Sequence, residues 1–357
     1  KAAVVVADWS AGTPPAMRQM MTLVRAGPAL VLVLNNNDSL FSRTLATATR
    51  PRTLQRVGDA EPAGAILVVA KESAILAQLP QAGEQLATIR GAQRPVLLEM
   101  PEWTVDVAVA HESVKRETAP NAVGILEGSD PVLRQEYLVY SAHMDHVGIR
   151  GGLPAANGQP ADSIFNGADD DASGTVGVIE LAEAFATRGA RPKRSVIFVA
   201  VSGEEKGLWG SDWFATHPPV PVGQMVANLN ADMIGRNWPD SIVVIGREHS
   251  DLGETLARVS ARHPELRMTT LDDRWPEQNF YQRSDHYHFA RRGVPVLFFF
   301  NGTHDDYHRA SDHPDKIDGE KLARIAQLMY WIGQEVGNAA ERPKWKPESY
   351  TKYVTEK

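Results

Sequence analysis

Tyr137-Leu-Val-Tyr-Ser-Ala-His143-Met-Asp145 reads as a buried strand that runs straight into an imidazole and a carboxylate. Three further stretches repeat the construction. Ser195-Val-Ile-Phe-Val-Ala-Val201 leads to Glu204 and Glu205, and Met225-Val-Ala-Asn-Leu-Asn-Ala231 leads to Asp232. Val294-Pro-Val-Leu-Phe-Phe-Phe300 leads to a loop carrying His304 and His308. Short apolar runs rich in β-branched and aromatic residues, alternating with helix-periodic segments, predict the buried strands of an α/β sheet. Ligands of such sheets bind at the carboxyl ends of the strands, so residues far apart in sequence are expected to meet at one sheet edge.

What would meet there is a set of metal donors. Zinc accepts imidazole nitrogen and carboxylate oxygen, and a catalytic zinc keeps one position open. Two zinc ions roughly 3.5–4 Å apart need a negative group between them, which a carboxylate with two oxygens provides. Asp170 is the candidate bridge. It lies in Gly167-Ala-Asp-Asp-Asp-Ala-Ser-Gly174, ahead of the helix-periodic Val176, Ile179, Leu181, Ala182 and Phe185. A single acid there would be read as a cap that offsets the helix dipole. Three in succession repel one another unless a cation compensates. His143 and Asp145, one residue apart, share a side on an extended strand, which suits Asp145 to orienting the imidazole; a purely structural His–Asp pair is the competing reading. Glu204 and Glu205 would be surface residues in most sequences, but a solvated acidic pair has little reason to follow directly on so apolar a strand.

The segments Ser141-Ala-His-Met-Asp-His-Val-Gly148, Asn166-Gly-Ala-Asp-Asp-Asp-Ala-Ser-Gly174, Ser202-Gly-Glu-Glu-Lys-Gly207, Asn230-Ala-Asp-Met-Ile-Gly235 and Tyr307-His-Arg-Ala-Ser-Asp312 resemble, in order, the motifs of the co-catalytic zinc aminopeptidases. That family is related to glutamate carboxypeptidases, glutaminyl cyclases and the non-peptidase transferrin receptor. The likeness runs from about Trp103 to Trp345. It implies a zinc exopeptidase fold, an α/β architecture with a mixed, mostly parallel sheet flanked by helices. It also implies two Zn2+ per chain, one held by His143 and Asp232, the other by Glu205 and His308, with Asp170 bridging both. Glu204 matches the general base, Asp145 the carboxylate behind the first histidine ligand, and Asp171 follows a peptide that is often cis. Either Tyr281 or Tyr307 matches the phenol that stabilises the tetrahedral intermediate. Arg283-Ser-Asp-His-Tyr-His-Phe289 is a further signature, with Ser284 and Asp285 expected to support the loop of the last histidine.

Zinc has room for few protein ligands, so His146, His286, His288, His304 and His313 are expected outside the metal shell. His111, His217, His249 and His263 have no motif around them. The resemblance implies hydrolysis of the first peptide bond of peptides with a free N-terminus. A carboxypeptidase or dipeptidase would need a basic residue for the substrate carboxylate, for which Arg236, Arg274 and Arg283 are candidates. A glutaminyl-cyclase-like acyltransferase could reuse nearly the same ligands, whereas a scaffold would have lost them.

The remaining composition sets bounds. The 357 residues, 43% hydrophobic and 23% charged, suffice for two domains with cores of their own. A net charge of −7 argues against nucleic-acid binding, which needs clustered Lys and Arg. No apolar run approaches the roughly 18–20 residues of a membrane-spanning helix. Without cysteine there are neither disulfides nor thiolate metal sites. Residues 1–102 alternate short strand-like runs with helix-compatible segments and carry no ligand cluster; they resemble a smaller, strand-rich protease-associated domain, expected to be incomplete at its N-terminus. Residues 103–345 form the expected peptidase domain, with an edge strand over Trp103–His111, a run over Ala122–Leu126 that returns toward the peptidase sheet, and a last helix capped by Asp318. Residues 346–357 are expected to be a surface tail. The chain opens at Lys1 directly on an apolar run, as a processed product would. Secreted family members make a periplasmic or extracellular location the expectation.

Overall fold

The computed structural model describes residues 2–6, 30–35, 41–42, 56, 66–91, 116–150, 162–187 and 189–356. The chain divides into two compact units, Lys1–Arg116 and Glu117–Lys357. The expected boundary at 102/103, the edge strand over 103–111 and His111 lie outside the described residues.

In the first unit, β1 (Ala2–Val6), β2 (Leu30–Asn35) and β3 (Ile66–Lys71) form a parallel three-stranded sheet in the order β1-β2-β3. Helices α1 (Glu72–Gln78) and α2 (Ala82–Gly91) follow it.

The second unit is built on seven strands. Its four apolar runs become β5 (Tyr137–His143), β8 (Ser195–Val201), β9 (Met225–Ala231) and β12 (Val296–Phe300). With β4 (Ala122–Leu126), β10 (Ser241–Ile245) and β11 (Thr269–Leu271) they make a sheet of order β11-β10-β12-β9-β5-β8-β4. Four pairings are parallel; β10 with β12 and β4 with β8 are antiparallel. The expected mixed, mostly parallel α/β sheet is therefore present. A small antiparallel pair, β6 (Gly148–Ile149) and β7 (Ile164–Phe165), lies outside it.

Strands buried on both faces read as continuous apolar runs because alternate residues serve different cores. On one face Leu138, Tyr140, Val196, Phe198, Leu229 and Phe299 pack with α3 (Gly174–Ala186), α5 (Leu252–Arg262) and α7 (Gly319–Asn338). On the other, Val139, Ile197, Val199, Phe298 and Phe300 pack with residues of α4 (Trp209–Thr216) and α6 (His286–Ala290). Asp318 caps α7 as the sequence predicts, its side chain accepting from the Lys321 amide at 3.0 Å. Among the described residues no helix is long and apolar enough to cross a membrane.

The tail runs over the surface as a docked segment: just before it Trp345 donates to the Gly293 carbonyl at 2.9 Å, and within it the Tyr353 ring packs on His249 and Tyr281. A short helix, α8 (Pro347–Tyr350), brings Ser349 within 3.1 Å of the His249 imidazole.

Helix α7 approaches β5 at Gly333, where an added Cβ would overlap the Tyr140 phenol that donates to the Met329 carbonyl at 2.8 Å. Gly333→Ala is expected to destabilise the protein by about 1–3 kcal/mol, the usual cost of overpacking. An unchanged urea midpoint would show that the helix can back away freely.

Candidate metal centre

Strands β9, β5 and β8 are neighbours and parallel, and β12 runs parallel beside β9. Their carboxyl ends deliver His143, Glu204 and Glu205, Asp232 and the His308 loop to one edge. The acidic triplet joins them from the turn before α3, where Asp170 and Asp171 have non-helical dihedrals and the peptide between them is cis.

The three acids have different tasks. Asp171 is buried and accepts from the amides of His143 at 3.0 Å, Gly174 at 2.9 Å and Met233 at 3.2 Å, which ties three loop starts together. Asp169, also buried, accepts from the Gly235 amide at 2.7 Å and faces His304 Nε2 at 3.2 Å. Asp170 turns to His143 and His308: its Oδ1 lies 3.2 Å from His143 Nε2 and its Oδ2 lies 3.1 Å from His308 Nε2. Asp312, fully buried, accepts from the amides of Asp169 and Asp170 at 2.9 and 3.2 Å and so holds the turn from behind.

Around Asp170 two groups form. His143 Nε2 lies 3.6 Å from Asp232 Oδ1, and His308 Nε2 lies 3.1 Å from Glu205 Oε2. All five predicted metal ligands therefore converge. Ligand atoms about 2.0–2.2 Å from one tetrahedral zinc stand roughly 3.3 Å apart, and the observed 3.1–3.6 Å matches that spacing. His143 Nε2 and Asp170 Oδ2 are buried without a properly directed hydrogen bond. Close approach without hydrogen-bond alignment is what donors aimed at a shared cation would show, so these residues fit zinc.

Electrostatics agree. Burial pushes the Glu204 carboxyl well above the ordinary carboxylate range; Asp232, Asp285 and Asp170 add to the effect, against His143. Burial alone would depress the His143 imidazole, but Asp171, Asp232 and Asp170 outweigh it and hold its pKa high. So many anions in a dry pocket call for compensating positive charge.

Asp232 is fixed by a buried polar chain along β5 and β9. Asn228 Nδ2 donates to Ser141 Oγ, Ser141 Oγ to Asn230 Oδ1, Asn230 Nδ2 to Ser284 Oγ, and Ser284 Oγ to Asp232 Oδ2, at 2.6–3.0 Å. Ser284 thus supports Asp232 rather than the last histidine's loop. Met233, which follows the ligand Asp232, has φ 57° and the ligand His308 has φ 56°, a left-handed conformation that residues other than glycine rarely adopt.

Asp145 differs from expectation. His143 Nδ1 meets the Asp145 main-chain carbonyl at 2.9 Å, with the carboxylate 3.9 Å away, and that carboxylate accepts the Glu204 amide at 3.2 Å. The reason is that β5 ends at His143, so the same-side rule for extended chain no longer governs Asp145.

The tyrosines separate. Tyr307 stacks on His308 with centroids 3.9 Å apart and lines a cleft of about 350 Å3 with Asp170, Glu204, Asp232, Met233, Phe280, Arg283, Phe298, Phe300, Thr303 and His308. Tyr281 is not brought there; it is buried in an aromatic cluster with His249, His286 and Tyr353. His286 stacks on Phe298, His288 faces Asp212 and His313 contacts Asn166. One histidine that sequence reasoning set aside does reach the cluster: His146, with Nδ1 2.8 Å from Glu205 Oε1 and 3.7 Å from Asp170 Oδ2.

A mostly parallel sheet whose strand ends gather imidazoles and carboxylates at zinc-ligand spacing defines a metal-dependent α/β enzyme. A model of peptidase family M28 matches residues 121–332, more than half of the chain, and the chain belongs to that family. It is similar to a probable zinc metalloprotease of Pyricularia oryzae, 38% identical over 103 residues that cover 27% of this chain and 20% of that protein. It is also similar to a probable leucine aminopeptidase of Arthroderma otae, 25% identical over 217 residues, 58% of this chain and 56% of that protein. The chain thus spans about a fifth and about half of the lengths of these two relatives. Among solved structures, the aminopeptidase from Aneurinibacillus sp. strain AM-1 superposes with a TM-score of 0.54 at 17% identity, covering 97% of this chain and 71% of that one. A zinc aminopeptidase from Bacillus subtilis gives 0.51 at 18%, covering 96% and 71%. At these identities the likeness is one of fold.

Chelation is expected to lower the melting midpoint and added zinc to restore it. A ligand at a hundred times its Kd stabilises by about 2.7 kcal/mol, or roughly 5–10 °C here. A midpoint indifferent to chelator and zinc would contradict the metal centre.

Proposed function

We propose that the chain is an aminopeptidase that binds two zinc ions and hydrolyses the first peptide bond of peptides with a free N-terminus. The observation that carries this reading is Asp170, whose two oxygens face the two histidines of two separate donor groups at the mouth of a cleft that also holds Glu204. His143 and Asp232 would hold one zinc, Glu205 and His308 the other, and Asp170 both. Zinc supplies Lewis acidity and brings the pKa of water to about 7.

The chain's own residues account for the rest. Glu204 faces the cleft without being in either donor group, and its main-chain amide is fixed by Asp145. It accepts the proton of the attacking water and returns it to the leaving amine. Burial, with Asp170, Asp232 and Glu205 nearby, pushes the Tyr307 phenol upward, so it stays protonated and able to donate to the oxyanion that develops on the scissile carbonyl. Met233, Phe280, Phe298 and Phe300 form an apolar wall, suited to an apolar first side chain. The names of the Arthroderma relative and of the two solved structures support the same direction.

A carboxypeptidase or dipeptidase reading has one observation in its favour. Arg283 lines the cleft, stacked 4.6 Å over Phe280, whereas Arg236 is engaged by Asp306 and Arg274 lies over Trp238. A panel of free and N-acetylated peptides separates the two. Release of the first residue from free amines only is expected; cleavage of acetylated peptides from their carboxyl end would assign the cleft to the competitor.

Glu204→Gln keeps shape and removes basicity, so zinc content should stay near normal while turnover on an amino-acid anilide falls about 10²–10⁴-fold. Glu205→Gln should lower zinc content. Metal analysis beside turnover checks the pair, and retention of most activity in Glu204→Gln would remove it from the general-base role.

A further inference from the structure

His146 stands beside the Glu205 carboxylate in a way that differs from His308. Glu205 presents Oε2 to His308 Nε2 at 3.1 Å and Oε1 to His146 Nδ1 at 2.8 Å. Both lengths are short, but His308 Nε2 also reaches Asp170 Oδ2 at 3.1 Å, whereas His146 Nδ1 stays 3.7 Å from it, so His146 sits farther from the bridging carboxylate. The His146 N–H is not aimed squarely at Oε1, and both ring nitrogens are buried without a directed partner, so the ring stands against the carboxylate at contact distance. Asp170, Glu205 and His308 already supply three protein donors, and a fourth would close the position that a catalytic zinc keeps for water.

The fold reserves room for this ring. Gly167 has φ 62°, and a Cβ there would overlap the His146 side chain and the Asp170 carbonyl. The His146 ring also meets His308 edge-on, with centroids 5.6 Å apart. Asp145 and His146 both stand against the acidic pair: Asp145 accepts the Glu204 amide, and His146 Nδ1 lies 2.8 Å from Glu205 Oε1.

Resting on the two-zinc reading above, we infer that His146 is a positioning residue that holds Glu205 Oε1 and thereby turns Oε2 alone toward the second metal. It sets the affinity and geometry of that one site without ligating.

Stepwise cobalt titration of the full chain, followed by electronic absorption and chelator competition, tests this. His143→Ala and His308→Ala first mark which step belongs to which site. His146→Ala is expected to weaken the His308 step about 10–100-fold, the usual effect of losing a residue that orients a metal ligand, and to leave the His143 step unchanged. His146→Asn, whose amide nitrogen can stand near the Nδ1 position, is expected to retain most of that affinity. The inference is overturned if His146→Ala shifts neither step or both alike, if asparagine is as poor as alanine, or if the spectrum loses a nitrogen ligand. Should His146→Ala not fold, His146→Leu, which fills the space without a donor, takes its place with the same expected loss. A wild-type chain that takes up only one cobalt would overturn the two-metal reading itself, a result distinct from any change confined to the variants.

Discussion

Buried negative charge is the constraint on which this molecule's organisation depends. Asp170, Asp171, Asp232, Glu204, Glu205 and Asp285 crowd one end of the sheet, most of them out of water. Such a group is sustainable only if each carboxylate is hydrogen-bonded, paired or coordinated. Asp171 is stabilised by three main-chain amides and Asp232 by Ser284, while Asp170 and Glu205 keep oxygens with no directed partner. Asp170 Oδ2 faces His308 and His146, which places a demand for positive charge at the bridge, and both oxygens of Asp285 also lack a directed partner. The left-handed backbone at Met233 and His308 is compatible with this, since strain of this kind persists where the surroundings over-determine it.

Much of this was legible in the sequence because its physical cause is local. Strands β5, β8, β9 and β12 are buried on both faces, so each announced itself as an unbroken apolar run, and the rule that ligands gather at strand carboxyl ends then located the site. All five predicted ligands arrived there. The triplet's division of labour was not legible, because which of Asp169, Asp170 and Asp171 faces the histidines depends on non-helical dihedrals in the turn.

Other departures share that origin. Asp145 was assigned by strand geometry, but β5 stops at His143 and the chain turns, so its carboxylate serves Glu204 instead. The same turn carries His146 back to Glu205, which ligand counting alone had set aside. Tyr281 and Tyr307 sit in equally suggestive sequence contexts, and only the packing of Tyr281 against His249 and Tyr353 separates them. That packing involves the last residues of the chain, whose Pro- and Lys-rich texture gave no sign of a docked segment.

The central claim is that one carboxylate, Asp170, organises two metal sites. The most direct measurement is the metal content of Asp170→Asn beside the unaltered chain, by mass spectrometry after equilibration with a small excess of zinc. Two zinc ions per unaltered chain, with both lost together in the variant because an amide cannot supply the bridging charge, is the predicted result. A variant that keeps both metals, or an unaltered chain that holds only one, would contradict it.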